Sequence, residues 1–255
     1  MVAENLAFLL KSLNLSSFNE HYQSLAEKSE REGITHVGYL HELVQLEYEQ
    51  RAQRRIGRLI KEARLPRDKL LSDFESYRIT GLAPSLIQRL ATGDFIDRCE
   101  NLLIFGNPGT GKTHLSIGLA REWCLQGRKV LYTPTARLVQ ELLKAKQSLL
   151  LNEHIKKLDN FDILILDDIS YVPYDRTETD VLFTLLSERY EQRSVVITSN
   201  LVFSEWNKIF KDEMTTAAAI DRLVHHASIL ELNAESYRCL TAKKRAQKAK
   251  VETEI

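Results

Sequence analysis

One octapeptide decides the fold of this 255-residue chain: Gly106-Asn107-Pro108-Gly109-Thr110-Gly111-Lys112-Thr113. It fits the phosphate-binding pattern G-x-x-x-x-G-K-[ST], with an apolar, strand-like segment before it and a helical pattern after it. The glycines allow successive backbone N–H groups to curl around a phosphate, and the start of the following helix adds a partial positive charge. A glycine-rich turn with a chance lysine is the alternative, but the strand, loop and helix together favour a phosphate loop.

The loop also predicts a ligand. We expect residues 106–113 to hold the phosphates of ATP, with Lys112 reaching the β- and γ-phosphates. The hydroxyl of Thr113 would coordinate Mg²⁺. ATP and Mg²⁺ are therefore the expected cofactors.

A second segment, residues 163–168, consists of four apolar residues followed by Asp167 and Asp168. This pattern is typical of a buried strand that opens into a site at its carboxyl end, where open parallel sheets bind their ligands. We expect Asp167 to complete the Mg²⁺ shell, directly or through water, and Asp168 to act as general base toward an attacking water. Taken alone, two acids that merely end a strand would be the better reading; the upstream phosphate loop favours the functional one.

A third apolar strand, residues 195–198, is followed by Ser199 and Asn200. If this strand lies between the first strand and the strand of Asp167, Asn200 lies near the γ-phosphate. An amide there can orient water and respond to the presence of the phosphate. A turn-forming Ser-Asn pair is the alternative.

From residue 101 onward, apolar segments alternate with helical patterns, which predicts a parallel sheet covered by helices on both faces. The predicted strands are 102–105, 129–133, 163–166, 195–198 and 228–232, and the predicted helices are about 112–126, 136–150, 178–192 and 215–225. Residues 1–75 instead show leucines at helical spacing. The predicted fold class is α/β, a P-loop NTPase whose central parallel sheet is flanked by helices and preceded by a small all-α domain.

Charge is distributed unevenly, although 35 Lys+Arg balance 35 Asp+Glu. Residues 51–69 carry eight basic residues against two acids, and residues 238–250 carry six against none, so each segment has a net charge of +6. The first segment has the pattern of an amphipathic basic helix. Taken alone, a solvated charged face is the better interpretation of such a segment; beside an ATPase site we favour contact with DNA phosphates, with little sequence preference. The candidate DNA-binding residues are Arg51, Arg54, Arg55, Arg58 and Lys61.

Several classes of protein are disfavoured. No apolar run approaches the roughly 18–20 residues that span a bilayer, and the N-terminus lacks the basic start of a signal peptide. Cys99, Cys124 and Cys239 show neither metal-ligand spacing nor a disulfide pattern. We therefore expect a cytoplasmic protein without a membrane partner. The pair His225-His226 lacks companion ligands in the sequence, and we interpret it as structural.

Arginines outside the core of the nucleotide site often act in trans in oligomeric ATPases, since a guanidinium stabilises charge on the transferring phosphate. Three arginines are candidates, each with a surface salt bridge as the alternative role. They are Arg189, Arg222 and Arg238, of which Arg222 is the first choice as a catalytic residue supplied to the neighbouring subunit.

Over residues 90–240 the sequence resembles the IstB-type transposition helper ATPases, relatives of the DnaC-type helicase loaders in the AAA+ class. The resemblance rests on the phosphate loop followed by His114-Leu115 and on segments 92–96, 100–103, 167–173, 187–194, 198–200, 203–206, 219–226 and 236–238. It implies a helical domain over residues 1–75 for DNA or partner binding, an AAA+ ATPase domain over residues 76–240, and a basic tail over residues 241–255.

The resemblance further implies ATP-dependent self-assembly on double-stranded DNA, through interfaces that ATP bridges, and recruitment of a transposase encoded by the same element. One departure matters: AAA+ proteins commonly carry Glu as the second acid, whereas this chain has Asp168. We therefore expect slow, DNA-stimulated hydrolysis.

Three further functions are alternatives to this one. The chain could be a DnaC-type helicase loader, a nucleotide-binding module that has lost hydrolysis, or a small-molecule kinase. Intact Lys112, Asp167 and Asp168 oppose the second alternative. The third lacks a second substrate motif.

Overall fold

The computed structural model describes residues 2–169, 174–208, 213–237 and 239. The chain divides into two compact units, the first ending at Arg58 and the second beginning at Leu59. This division comes before the predicted domain boundary at residue 75, and Leu59 and Ala63 are buried in the core of the second unit. The predicted division of roles between the domains stays a prediction. The predicted tail, 241–255, lies outside the described residues.

Three helices lie in the N-terminal part of the chain: α1 (Val2–Ser12), α2 (Ser16–Glu32) and α3 (His36–Glu62). The last turn of α3 belongs to the second unit, because the first ends at Arg58. Gly33 ends α2 in a left-handed conformation with φ of 65°, which glycine adopts without steric cost. Buried Glu47 of α3 accepts hydrogen bonds from Ser17 N (2.8 Å) and Arg51 Nε (2.6 Å). Burial alone would raise the pKa of Glu47, but these hydrogen bonds lower it below its ordinary value. The all-α prediction for this region is confirmed, with α3 longer than the predicted basic helix.

The second unit contains a five-stranded sheet in which the strands pair in parallel. The strand order is β2-β3-β4-β1-β5. The strands are β1 (Asn101–Phe105), β2 (Val130–Pro134), β3 (Ile163–Asp167), β4 (Ser194–Ser199) and β5 (Ala227–Glu231). Strand β4 thus lies between β1 and β3, as the position predicted for Asn200 requires.

Helices cover both faces of this sheet. They are α4 (Pro84–Thr92), α5 (Asp94–Asp97), α6 (Lys112–Leu125), α7 (Thr135–Gln147), α8 (Leu151–Leu158), α9 (Arg176–Arg189) and α10 (Glu213–Val224). Short 3-10 turns span Leu71–Asp73, Ser76–Arg78 and Phe203–Lys208. No described helix has the length and apolar character needed to cross a membrane.

Side chains alternate along the strands and build one core on each face. On β1, Leu103 packs with residues of α7 and α9, whereas Leu102 and Ile104 pack with residues of α4 and α6. The predicted three-layer α/β fold is confirmed. The predicted helix 136–150 corresponds to α7, which ends at Gln147, and Leu149 adopts φ of 60° before a further helix, α8, that was not predicted.

Candidate nucleotide-binding site

The predicted phosphate loop connects β1 to α6 at the carboxyl edge of the sheet. Gly109 has φ of 85°, and a Cβ there would lie 2.2 Å from Ser236 Oγ. Gly106 has φ of 152°, and a Cβ there would lie 2.6 Å from the carbonyl oxygen of Leu232. Both positions require glycine, for conformation and for space. Because α6 begins at Lys112, the positive end of the helix dipole lies at the loop and makes it a suitable place for an anion.

Lys112 lies across this loop, and its side chain is largely buried. Its ammonium donates hydrogen bonds to the carbonyl oxygens of Gly106 (2.6 Å) and Asn107 (3.0 Å). It also donates to Oδ1 of Asn200 at 2.6 Å. The positive charge is therefore held between the phosphate loop and the end of β4.

Asp167 ends β3 and is surrounded by hydroxyl groups. Its Oδ1 accepts hydrogen bonds from Thr113 Oγ1 (2.9 Å) and Thr198 Oγ1 (2.7 Å), and its Oδ2 accepts one from Tyr132 Oη (2.7 Å). Burial and then the negative charge of Asp167 raise the pKa of Tyr132 well above its ordinary value, so this hydroxyl stays a donor. Thr113 and Asp167 together offer the oxygen donors that Mg²⁺ prefers.

Asp168 follows immediately and has φ of 57°, a left-handed conformation uncommon for a non-glycine residue. Its N–H donates to Thr198 Oγ1 at 2.8 Å, which holds this backbone turn in place. Its Oδ1 accepts a hydrogen bond from Nδ2 of Asn200 at 3.1 Å. The amide of Asn200 therefore connects the ammonium of Lys112 to the carboxylate of Asp168.

A cavity of about 500 Å³ opens beside these side chains, a size typical of small-ligand sites. Its lining includes residues 108–113, Asp168, Thr198 and Asn200. Phe74, Glu75, Arg78, Ile79 and Tyr237 also line the cavity. The guanidinium of Arg78 lies 4.9 Å from the ring centroid of Tyr237, and Tyr237 N donates to the Gly109 carbonyl oxygen at 2.9 Å. Apolar and aromatic groups thus stand next to the phosphate loop.

Sequence reasoning missed the lining residues from Phe74 to Ile79, and it missed the hydroxyls of Tyr132 and Thr198 around Asp167. Thr198 lies near the carboxyl end of the third predicted strand, and this position alone could have predicted that it reaches the site. Tyr132 and Phe74 belong to segments without a local motif, and only the tertiary fold brings them to the site.

The prediction that Arg189 acts in trans is wrong. This side chain is fully buried and donates hydrogen bonds to the carbonyl oxygens of Leu158, Phe161 and Ser194 and to Oδ1 of Asp159. Burial lowers its pKa to about 10, against the opposing effect of Asp159. Arg189 therefore holds the loop before β3 to the start of β4.

Arg222 is not among the described residues that line the cavity. Arg222 is half-buried on α10, where Nη1 donates to the Ala218 carbonyl oxygen (3.3 Å) and the guanidinium lies 5.0 Å from the ring centroid of Phe183. A role in trans for Arg222 stays a prediction. Arg238 lies outside the described residues.

The five candidate DNA-binding residues are exposed and all lie on α3. Their spacing places them on one face of this helix, at 3.6 residues per turn. Arg51 pairs with Glu47 and donates to the Asn14 carbonyl oxygen, and Arg54 donates to Gln50 Oε1. We call this set of five, Arg51, Arg54, Arg55, Arg58 and Lys61, the basic face of α3.

The structure corrects one premise about His225-His226. The carboxylate of Glu191 lies 3.5 Å from His226 Nε2 and 3.9 Å from His225 Nδ1, so the histidines do have a companion with ligand character.

The sequence is similar to ATP-binding proteins of insertion sequences. The family model described as IstB-like ATP binding protein matches residues 8–246. An insertion-sequence ATP-binding protein of Sinorhizobium fredii is 43% identical over 234 residues, which cover 91% of this chain and 78% of that protein. The ATP-binding protein of insertion sequence IS21 from Pseudomonas aeruginosa is 37% identical over 233 residues, covering 91% and 88% of the two chains.

Solved structures show the same fold at lower identity. The DnaC helicase loader superposes with a TM-score of 0.51 and 15% identity, over 58% of this chain and 87% of that chain. AMPPCP-bound DnaA from Aquifex aeolicus superposes with a TM-score of 0.56 and 18% identity, over 72% and 56% of the two chains. The second unit therefore has the AAA+ fold.

Proposed function

The chain belongs to the IstB-like ATP-binding protein family, and from this premise we propose that it is an ATP-dependent DNA-binding helper of an insertion sequence. In this proposal it assembles on target DNA in the cytoplasm, and the assembled form recruits and stimulates the transposase of the same element. The observation that carries the proposal is the amide of Asn200, which joins Lys112 to Asp168 and so connects phosphate binding to the catalytic carboxylate.

Residues of the phosphate loop bind the phosphates of ATP, with Lys112 at the β- and γ-phosphates. Thr113 and Asp167 hold Mg²⁺, which neutralises charge on the phosphates when bound. The hydroxyls of Tyr132 and Thr198 keep the Asp167 carboxylate oriented toward Thr113. A supporting shell of this kind improves the affinity of a metal site.

Asp168 acts as the general base that accepts a proton from the attacking water. Asn200 positions this carboxylate through its Nδ2. When a γ-phosphate is present, the ammonium of Lys112 turns toward it and releases Oδ1 of Asn200, which then accepts a hydrogen bond from the water. Asn200 thus reports on the γ-phosphate, and hydrolysis is slow because Asp168 is one methylene shorter than the common glutamate.

DNA binding is proposed to use the basic face of α3. Contacts to phosphates carry no base information, so the sequence preference is low. If all five side chains reach phosphates, the logarithm of the binding constant falls with the logarithm of the salt concentration with a slope of about −4.5. Several subunits on one duplex add such contacts together.

Assembly is proposed to depend on ATP bound between neighbouring subunits. Arg222 is the arginine that reaches the γ-phosphate of the adjacent subunit, where it stabilises the charge that develops during transfer. Hydrolysis removes the bridging phosphate and loosens the assembly.

Particle size measured by sedimentation velocity tests the proposal in four conditions: protein alone, with ATP and Mg²⁺, with duplex DNA, and with both. The expected result is a large assembly in the combined sample, and DNA should also stimulate hydrolysis. If the combined sample shows no increase in size, the proposal is wrong.

A DnaC-type helicase loader is the second candidate, favoured by the shared fold. The two functions predict different partners. Under the first, the purified transposase of the same element should bind the assembled protein; binding to a replicative helicase instead would support the second.

A further inference from the structure

Three candidate metal-binding side chains meet at the edge of the sheet opposite the phosphate loop. Glu191 lies in the loop before β4, and His225 and His226 lie in the turn before β5. In the strand order, β4 and β5 flank β1. Parallel strands begin at the same edge, so these two entry loops are brought together by the topology. This edge is far from the groups that bind nucleotide, which follow the carboxyl ends of the strands.

The distances between the candidate ligand atoms are short. One atom from each residue can be chosen so that all three lie within 4.8 Å of one another. Glu191 Oε1 lies 3.5 Å from His226 Nε2 and 3.9 Å from His225 Nδ1. With metal–ligand bonds of about 2.0–2.2 Å, adjacent ligand atoms around tetrahedral zinc stand about 3.3–3.6 Å apart. The two distances from Glu191 are within a few tenths of an ångström of this spacing, and the exposed imidazole rings can rotate to bring all three ligand atoms, which lie within 4.8 Å of one another, around one ion.

Neighbouring residues hold these side chains in place. Tyr190 Oη lies 2.7 Å from His225 Nδ1, and the two rings stack with centroids 6.2 Å apart. The carbonyl oxygen of His226 accepts a hydrogen bond from Asn101 N of β1 at 2.7 Å. The rings of His225 and His226 lie 4.1 Å apart between centroids. These contacts place the His225 ring and the His226 backbone beside Glu191, and a metal bound through His225 Nδ1 would displace the Tyr190 hydroxyl from that nitrogen.

The chemistry of this donor set favours zinc. Two imidazoles and one carboxylate form a known three-ligand zinc set in which the fourth position is left to water. Magnesium prefers oxygen ligands, and imidazole suits zinc and its first-row neighbours. The three side chains are about half exposed, so an ion can enter from solvent.

We propose that Glu191, His225 and His226 bind one Zn²⁺ ion, with water in the remaining position. The ion connects the loop before β4 to the turn before β5. It thereby fixes the C-terminal end of α10, the helix on which Arg222 lies. This assignment does not depend on ATP binding or on DNA binding.

Zinc titration of the nucleotide-free, full-length chain by calorimetry tests the assignment. The parent should bind one Zn²⁺ ion per chain, and its midpoint of thermal unfolding should rise with zinc. His225→Ala combined with His226→Ala should weaken zinc binding at least about tenfold, and Glu191→Gln, which keeps the size of the side chain, should also weaken it about tenfold. The matched control is His36→Ala with His41→Ala, which removes two exposed histidines of α3 and should leave zinc binding unchanged.

Cobalt substitution checks the ligand type. Bound Co²⁺ should give the visible bands of a nitrogen- and oxygen-ligated ion without a thiolate charge-transfer band, which would indicate Cys99 or Cys239 instead. ATP binding by each variant reports that the second unit is folded. The assignment is overturned if the double-histidine variant and Glu191→Gln bind zinc as tightly as the parent, or if the thiolate band appears. Zinc binding lost equally in the His36/His41 control would overturn it as well.

Discussion

Asn200→Ala removes the side chain that joins Lys112 of the loop to Asp168, the carboxylate proposed as the general base. The amide accepts from Lys112 Nζ at 2.6 Å and donates to Asp168 Oδ1 at 3.1 Å. A hydrogen bond to a charged group contributes about 1.5–3 kcal/mol. In the proposed mechanism, Lys112 gives up its hydrogen bond to Asn200 and bonds to phosphate when ATP binds. In the transition state the variant therefore lacks only the hydrogen bond from Asn200 to Asp168 and the amide oxygen that orients the water. We expect a loss of about 3 kcal/mol, which corresponds to a factor of about 10² in kcat.

The assay is steady-state ATP hydrolysis with saturating duplex DNA, together with a separate measurement of the Kd for ATP. We expect kcat to fall about 100-fold while the Kd changes less than about threefold, because the loop and the first turn of α6 still hold the phosphates. Asn152→Ala, at an exposed position of α8, is the matched control and should leave both values unchanged.

A parent-like kcat in Asn200→Ala would refute the role assigned to this amide. A loss of ATP affinity with unchanged kcat would also refute it, since that result means that Asn200 acts in ground-state binding alone.

Three further predictions concern stability, metal binding and DNA. Arg189→Ala should lower the free energy of unfolding by about 3 kcal/mol, because it removes the guanidinium that donates to buried carbonyl oxygens of two segments. Urea denaturation checks this against Arg193→Ala, a half-exposed position where less than about 1 kcal/mol is expected; equal losses would contradict the structural role. Tyr132→Phe should weaken Mg²⁺-dependent ATP binding about tenfold, because it removes a hydrogen-bond donor to Asp167. The measurement is ATP affinity as a function of Mg²⁺ concentration; the same Mg²⁺ dependence as in the parent would show that Tyr132 does not support the metal site. Charge reversal across the basic face of α3 should abolish DNA binding and leave ATP affinity intact, whereas Arg31→Glu on α2 should bind DNA normally. If the charge-reversed variant still binds DNA, the DNA site does not lie on the basic face of α3.

Much of the fold and half of the site could be predicted from the sequence because local patterns determine them. A phosphate loop requires glycines and a lysine in one octapeptide, and apolar strands that end in polar residues mark the carboxyl edge of a parallel sheet. Lys112, Asp167, Asp168 and Asn200 meet as expected for this reason. The predicted position of Asn200 required that β4 lie between β1 and β3. The sequence does not determine this order, and the structure has it.

The remainder depends on contacts between distant segments. Tyr132 reaches Asp167 only because β2 lies beside β3, and Phe74 reaches Gly111 from a 3-10 region without any motif. Arg189 carries a charge and was therefore expected at the surface, but three carbonyl oxygens from two segments, the loop before β3 and the start of β4, surround it. Glu191 is more than 30 positions from His225 in the sequence, so no spacing pattern connects the two.

The central claim is that bound ATP controls assembly on DNA. Its most direct test is the particle size of Lys112→Ala on duplex DNA with ATP and Mg²⁺, measured beside the parent. The account predicts that the parent forms large assemblies and that Lys112→Ala stays small on the same DNA, since the variant loses the cation that binds the β- and γ-phosphates. Assembly of Lys112→Ala to the same size and extent as the parent would contradict the account.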